Sequence, residues 1–245
     1  MLSKAKIKFV KSLQVKKYRI QEQCFVVEGA KSIQELLNSD FEVIMLFGTS
    51  EFLANRKLSV GPEVIEVTHK ELEMISEFQS NETGLAVARM KPSRILTVRE
   101  DEFGLMLDDI RDPGNLGTII RTADWYGIRK IIASEETADC YNSKVISATM
   151  GSFTRVEVYY TNLAQYLGEH KHRVFGAYLD GVNVHRTNFG KGGLVLIGNE
   201  ARGISEDLGR FVTDKITIPR FGKAESLNAA IATAVLCDNI RRDRP

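Results

Sequence analysis

The chain has 245 residues, 43% hydrophobic and 27% charged, with 33 Lys and Arg against 32 Asp and Glu. That length and balance describe one large globular domain or a small one joined to a medium one, and give no global electrostatic case for nucleic acid. No run approaches the roughly 20 apolar residues that span a bilayer, and the basic N-terminus lacks the apolar core and cleavage site of a secretory signal.

Cys24, Cys140 and Cys237 lie far apart and form no CxxC pair. A reducing cytoplasm therefore fits better than a disulfide framework or a zinc site. His69, His170, His172 and His185 make no metal signature, so no metal is expected, and His170 and His172 are expected to share a solvated loop.

Charge distribution says more than the total. Residues 1–20 carry Lys4, Lys6, Lys8, Lys11, Lys16, Lys17 and Arg19 and no acid. A basic arm of this kind suits a phosphate backbone. The stretch 4–18 predicts a helix with Ile7, Val10, Leu13 and Val15 turned inward. Cys24–Val27 then reads as a buried strand, 30–37 as a helix, 41–47 as a strand, 68–76 as a short helix and 85–90 as a strand. Lys91-Pro92-Ser93 is a natural seam, because proline and its predecessor interrupt regular structure. Domains of 1–92 and 93–245 follow.

Beyond the seam, strands are expected at 104–107, 130–133, 156–159, 174–178, 194–197 and 215–218. Helices are expected at 115–126, 143–150, 162–168, 205–211 and 226–241. Strands alternating with helices predict a mostly parallel α/β sheet covered on both faces.

Three strand-turn-helix junctions stand out, each expected at the carboxyl end of the sheet, where open α/β folds gather ligands. The first is Asp112-Pro113-Gly114-Asn115, with Asn115 as N-cap and Thr118, Arg121 and Thr122 on the first turns. The second is Gly198-Asn199-Glu200-Ala201-Arg202-Gly203, a glycine turn that would let a ligand approach backbone. It has P-loop spacing, but Ile204 stands where the phosphate-binding lysine belongs, and no GxGxxG occurs, so common nucleotide fingerprints are absent. The third is Ile218-Pro219, a glycine-containing loop, then Ser226-Leu227-Asn228 opening a small-residue helix, with Ser226 as a possible cap.

In order, Asn115-x-Gly117-x-x-x-Arg121-Thr122, Gly198-Asn199-Glu200-x-x-Gly203 and Ile218-Pro219…Ser226-Leu227-Asn228-x-Ala230 resemble the three motifs of the SpoU/TrmH-type RNA 2′-O-methyltransferases of the SPOUT superfamily. The resemblance covers about residues 100–242. Residues 1–90 look like the small substrate-binding domain, similar to certain RNA-binding ribosomal proteins, that often precedes it.

The resemblance implies S-adenosylmethionine bound in a trefoil-knotted sheet of a homodimer, and methyl transfer to a ribose 2′-hydroxyl of ribosomal or transfer RNA. It places Gly198, Ile218 and Leu227 at the cofactor, with Leu196, Ile197 and Pro219 adjoining. Arg121 becomes the central catalytic residue, with Asn115, Glu200, Ser226 and Asn228 completing the site. Lys4, Lys8, Lys11, Lys16, Lys17 and Arg19 are the expected RNA phosphate contacts. The alternative from another class is an RNA-binding factor without catalysis.

Overall fold

The computed structural model describes residues 2–54, 61–78 and 81–242. It divides into two compact units, one of residues 1–92 with 139–154 and one of residues 93–138 with 155–245. The first unit therefore takes in a second piece of chain that sequence reading had placed wholly with the sheet beyond the seam.

The first unit runs α1 (Lys4–Ser12), α2 (Lys16–Glu22), β1 (Cys24–Glu28), α3 (Ala30–Leu37), β2 (Val43–Gly48), α4 (Ser50–Ala54), β3 (Glu63–Glu66), α5 (His69–Ile75) and β4 (Gly84–Arg89). The strands order as β1-β4-β2-β3, with β1–β4 and β4–β2 antiparallel and β2–β3 parallel. The short helix α4 and the strand β3 were not anticipated. Of β3 only Ile65 is even half-buried, so an edge strand with charged ends carries almost no apolar alternation to read.

The single helix expected over 4–18 is two, and Arg19 is the reason. Its Nη1 donates to Leu13 O and Gln14 O, both at 2.9 Å, capturing carbonyls at the end of α1. Its Nη2 and Nε donate to Asp139 Oδ2 at 2.6 and 3.2 Å, and the Arg19 side chain is only 3% exposed. Arg19 is thus a structural residue and not an RNA contact. Freeing it would uncover a buried charge pair, costing about 3–5 kcal/mol, against about 0–1 kcal/mol for an exposed ion pair. Val15, expected inside, is the N-cap of α2 and half-exposed.

The second piece of the first unit begins at Asp139 and contains α7 (Ser143–Thr149). Its Tyr141 and Phe153 rings meet Phe25 of β1 at centroid distances of 4.7 and 6.0 Å, and Phe41 joins them at 5.5 Å from Phe25. Tyr141 Oη accepts from Lys91 N at 3.2 Å.

The second unit holds β5 (Phe103–Leu107), α6 (Pro113–Trp125), β6 (Lys130–Ala133), β7 (Glu157–Tyr160), α8 (Leu163–Glu169), β8 (Val174–Asn183), β9 (Gly193–Ile197), α9 (Glu206–Gly209), β10 (Asp214–Thr217) and α10 (Ala229–Arg241). Its six strands are all parallel, in the order β10-β8-β9-β5-β6-β7. The adjacent inner strands β9 and β5 are buried at every residue, as continuous apolar runs in a covered parallel sheet should be, while the edge strands β7 and β10 are only partly covered. Parallelism sets the carboxyl ends of all six strands on one edge, and the three junctions lie there.

His170 and His172 do not sit in a solvated loop. Their rings stack with Tyr166 at 4.5 and 6.2 Å, and burial pushes the His172 imidazole below its usual range.

Arg19→Ala is expected to destabilise the protein by about 3–5 kcal/mol, because it strands Asp139 and the α1 carbonyls. Chemical denaturation read by circular dichroism checks this; a loss under 1 kcal/mol would return Arg19 to the class of surface cations.

Candidate active site

The first junction is built by its cap. Asp112, not Asn115, is the N-cap of α6: its Oδ1 accepts from Asn115 N at 2.7 Å, and Pro113 occupies the first turn with φ already set for helix. The correction matters chemically. With Asp112 capping, the Asn115 side chain is released for other partners.

At the third junction Asn228, not Ser226, caps α10. Its Oδ1 accepts from Ala230 N at 3.0 Å and Ile231 N at 3.3 Å. Ser226 lies two residues before the cap, on an exposed loop, and makes no hydrogen bond to a described residue.

These side chains meet. Asn115 Nδ2 donates to Glu200 Oε1 at 2.6 Å, and Asn228 Nδ2 donates to Asn115 Oδ1 at 2.8 Å. One residue from each junction, 85 and 113 positions apart from Asn115 in sequence, forms a single chain of hydrogen bonds. Arg121 lies on the same helix as Asn115, about 9 Å further along its axis. It is exposed and pairs with no described residue.

The second junction is held by its own backbone. Asn199 and Gly203 exchange N–H to O bonds at 3.1 and 2.8 Å, closing a tight loop, with Gly203 at φ +69°. A Cβ on Gly198 would stand 2.2 Å from Gly203 C and 2.3 Å from Ile204 N. Glycine at 198 is thus demanded by the loop folding back on itself. Asp108 Oδ2 accepts from Ser205 N at 2.8 Å and fastens the loop to the end of β5. Asn199 Nδ2 does the same by donating to Asp109 O at 2.8 Å.

Asp108 and Asp109 were not singled out from sequence, and Asn199 was named within the second motif without a role. The available signal was a pair of acids closing an apolar strand, a feature that solvated turns share.

The expected cofactor positions differ in what they offer. Leu196 and Ile197 are 0% and 3% exposed, and Leu196 is spent on the core with Met106, Ile132 and Leu208, so these two present no free side chain. Ile218 and Pro219 are half-buried and Leu227 is 47% exposed. None of the backbone N–H groups of residues 220–227 donates to a described residue. An apolar surface beside free backbone donors fits an adenosine-bearing cofactor, which needs a flat apolar contact and a few hydrogen bonds. Of the expected RNA contacts, Lys4, Lys8, Lys11, Lys16 and Lys17 are all exposed.

The chain is similar to known proteins over nearly its whole length. The sequence pattern of the SpoU rRNA Methylase family matches residues 102–238, and that of the MRM3-like substrate binding domain matches residues 4–86. The chain is 30% identical over 240 residues, 96% of each chain, to the 23S rRNA (guanosine(2553)-2'-O)-methyltransferase RlmP of Bacillus subtilis. In structure it resembles the AdoMet-bound rRNA methyltransferase of Sinorhizobium meliloti, with a TM-score of 0.90, 30% identity and coverage of 100% and 97%. It also resembles AviRb of Streptomyces viridochromogenes in complex with AdoMet, with a TM-score of 0.84, 26% identity and coverage of 99% and 98%. The chain belongs to the SpoU rRNA methylase family, and is an RNA ribose 2′-O-methyltransferase that takes its methyl group from S-adenosylmethionine.

Proposed function

We propose that the chain methylates a ribose of large-subunit ribosomal RNA, with the Asn115–Glu200–Asn228 group as the centre that positions the reaction. The observation that carries this reading is the hydrogen-bonded meeting of all three junctions in one place. The full-length likeness to a 23S rRNA enzyme favours ribosomal over transfer RNA, and the catalytic reading is favoured over a binding-only factor because the polar set is complete.

S-adenosylmethionine supplies a methyl group already activated on sulfur. Ile218, Pro219 and Leu227 would hold its adenosine part, with the backbone of Gly198 and Ile197 closing one side. Arg121 keeps its proton under ordinary conditions, so it serves as a grip and not as a base. Its guanidinium binds the phosphate beside the target ribose and sets the 2′-hydroxyl in line with the methyl group. The hydroxyl proton leaves through that phosphate. Asn115 and Glu200 fix the floor on which the ribose rests, and Asn228 ties that floor to the cofactor loop; Ser226 contributes from the same loop. The exposed Lys4, Lys8, Lys11, Lys16 and Lys17 add affinity from the N-terminal domain, which serves as the RNA-binding part.

Two copies make the working unit. Trp125 at the end of α6 is 84% exposed and Ile231 on α10 is 53% exposed. These helices pack on each other, with Arg241 Nε donating to Tyr126 O at 2.7 Å. Large apolar side chains left on such a pair mark a face for another chain. Arg121 lies one turn from Trp125, so a partner seated there would bring its own surface to Arg121. The chain is taken to follow the knotted path that its family implies, an exception to the usual rules of chain topology. No described helix is long and apolar enough to cross a membrane, and Cys24 and Cys237 are buried free thiols; both accord with a cytoplasmic enzyme.

Arg121→Ala is expected to lower turnover on saturating ribosomal RNA about a hundredfold while S-adenosylmethionine affinity stays within twofold. Tritium transfer and calorimetry measure the two, and full turnover would remove Arg121 from its role. Trp125→Glu is expected to convert a dimer into a monomer in light scattering. A wild-type protein that is already monomeric at tens of micromolar would refute the paired arrangement.

A further inference from the structure

We propose that Arg111 and Arg202 form a phosphate clamp for the RNA backbone at the rim of the active site, aimed by the buried carboxylate of Asp109. The inference rests on the reading of Asn115, Glu200 and Asn228 as the methyl-transfer centre. Arg111 lies four residues before Asn115, and Arg202 two residues after Glu200.

Asp109 is held with unusual firmness for a loop residue. It adopts φ +59°, a left-handed conformation that Asp tolerates better than most side chains. Its N–H donates to Ser134 Oγ at 3.0 Å, and the next N–H, of Ile110, donates to Thr137 Oγ1 at 3.2 Å. Both hydroxyls are buried, at 7% and 2% exposure. The turn is thus fixed from beneath, and Asn199 holds its carbonyl from the side.

The carboxylate of this residue is 11% exposed and splits its oxygens between two arginines. Oδ1 accepts from Arg111 Nε at 2.6 Å, and Oδ2 accepts from Arg202 Nη2. One guanidinium would neutralise Asp109; the second leaves the group with a net positive charge. The two arginine side chains are 64% and 68% exposed, and their remaining N–H groups bond to no described residue.

Two guanidinium edges are therefore presented to solvent, each tethered at one nitrogen to a fixed point. That is the arrangement for gripping an anion with two oxygens at low entropic cost. Apart from Asp109, the nearby acids do not bond to either guanidinium: Glu136 acts on Arg111 only through space, Glu200 accepts from the Asn115 side chain, and Asp108 and Asp112 accept from backbone N–H groups. Among anions, a phosphodiester adjoining the target ribose is the one the reaction brings to this rim.

The test uses full-length protein, deproteinised large-subunit ribosomal RNA and tritiated S-adenosylmethionine. Arg111→Ala and Arg202→Ala should each raise the KM for RNA about tenfold, with cofactor affinity retained. Each should also flatten the plot of log RNA affinity against log salt by roughly 0.7 to 0.9. Asp109→Asn keeps both arginines, suits the left-handed backbone and adds one positive charge. A diffuse charged patch would then bind RNA more tightly, whereas a clamp that has lost its anchor should bind several-fold more weakly.

A double Arg111→Ala, Arg202→Ala variant that melts like wild type, with unaltered KM and salt slope, would overturn the clamp. Tighter binding by Asp109→Asn would overturn the aiming role. The salt slope reads binding without turnover, whereas the catalytic centre is judged by turnover of Arg121→Ala on saturating RNA, so either assignment fails separately from the other.

Discussion

The Asn115 amide is the constraint on which the catalytic unit depends. It donates to Glu200 and accepts from Asn228, using both ends of one planar group. An aspartate there could not donate to Glu200, and an aliphatic residue could do neither. Because the bonds are side chain to side chain across three loops, they exist only when β5, β9 and the segment after β10 end at one edge of the sheet. The meeting of the three junctions and the parallel topology are thus a single requirement.

Around that amide, the loops are stiffened by backbone and not by bulk. Gly198 lets the chain fold over itself at a separation no side chain would permit, and Asp108 and Asn199 pin that fold to the end of β5. A transferase acting on a weak nucleophile gains most from holding groups in line before reaction. Loops closed by their own hydrogen bonds provide such order without needing the ligand to impose it.

The substrate-binding domain illustrates how the same residue type divides between two uses. Five lysines of the N-terminal helices stand in solvent, where charge is available to phosphate. Arg19, in the same basic stretch, is buried against Asp139 and the carbonyls ending α1. Its planar fork can satisfy a carboxylate and two carbonyls together, a task that a lysine's point charge serves poorly. The partner, Asp139, arrives from a stretch of chain 120 residues away, which carries Tyr141 and Phe153 into the same core.

Local pattern determined much of this protein. Apolar runs ending in turns located all six strands of the parallel sheet, and the three ordered motifs identified the family and contained Asn115, Glu200 and Asn228, whose side chains the fold joins, because strand periodicity and motif spacing are properties of neighbouring residues. Tertiary structure alone decided what depends on distant partners. It made Asp112 and Asn228 the caps, withdrew Arg19 from the surface, moved residues 139–154 into the first unit, and set two arginines on one aspartate. No local rule reports these outcomes, since burial and hydrogen-bond partnership are settled between segments that only folding brings into contact.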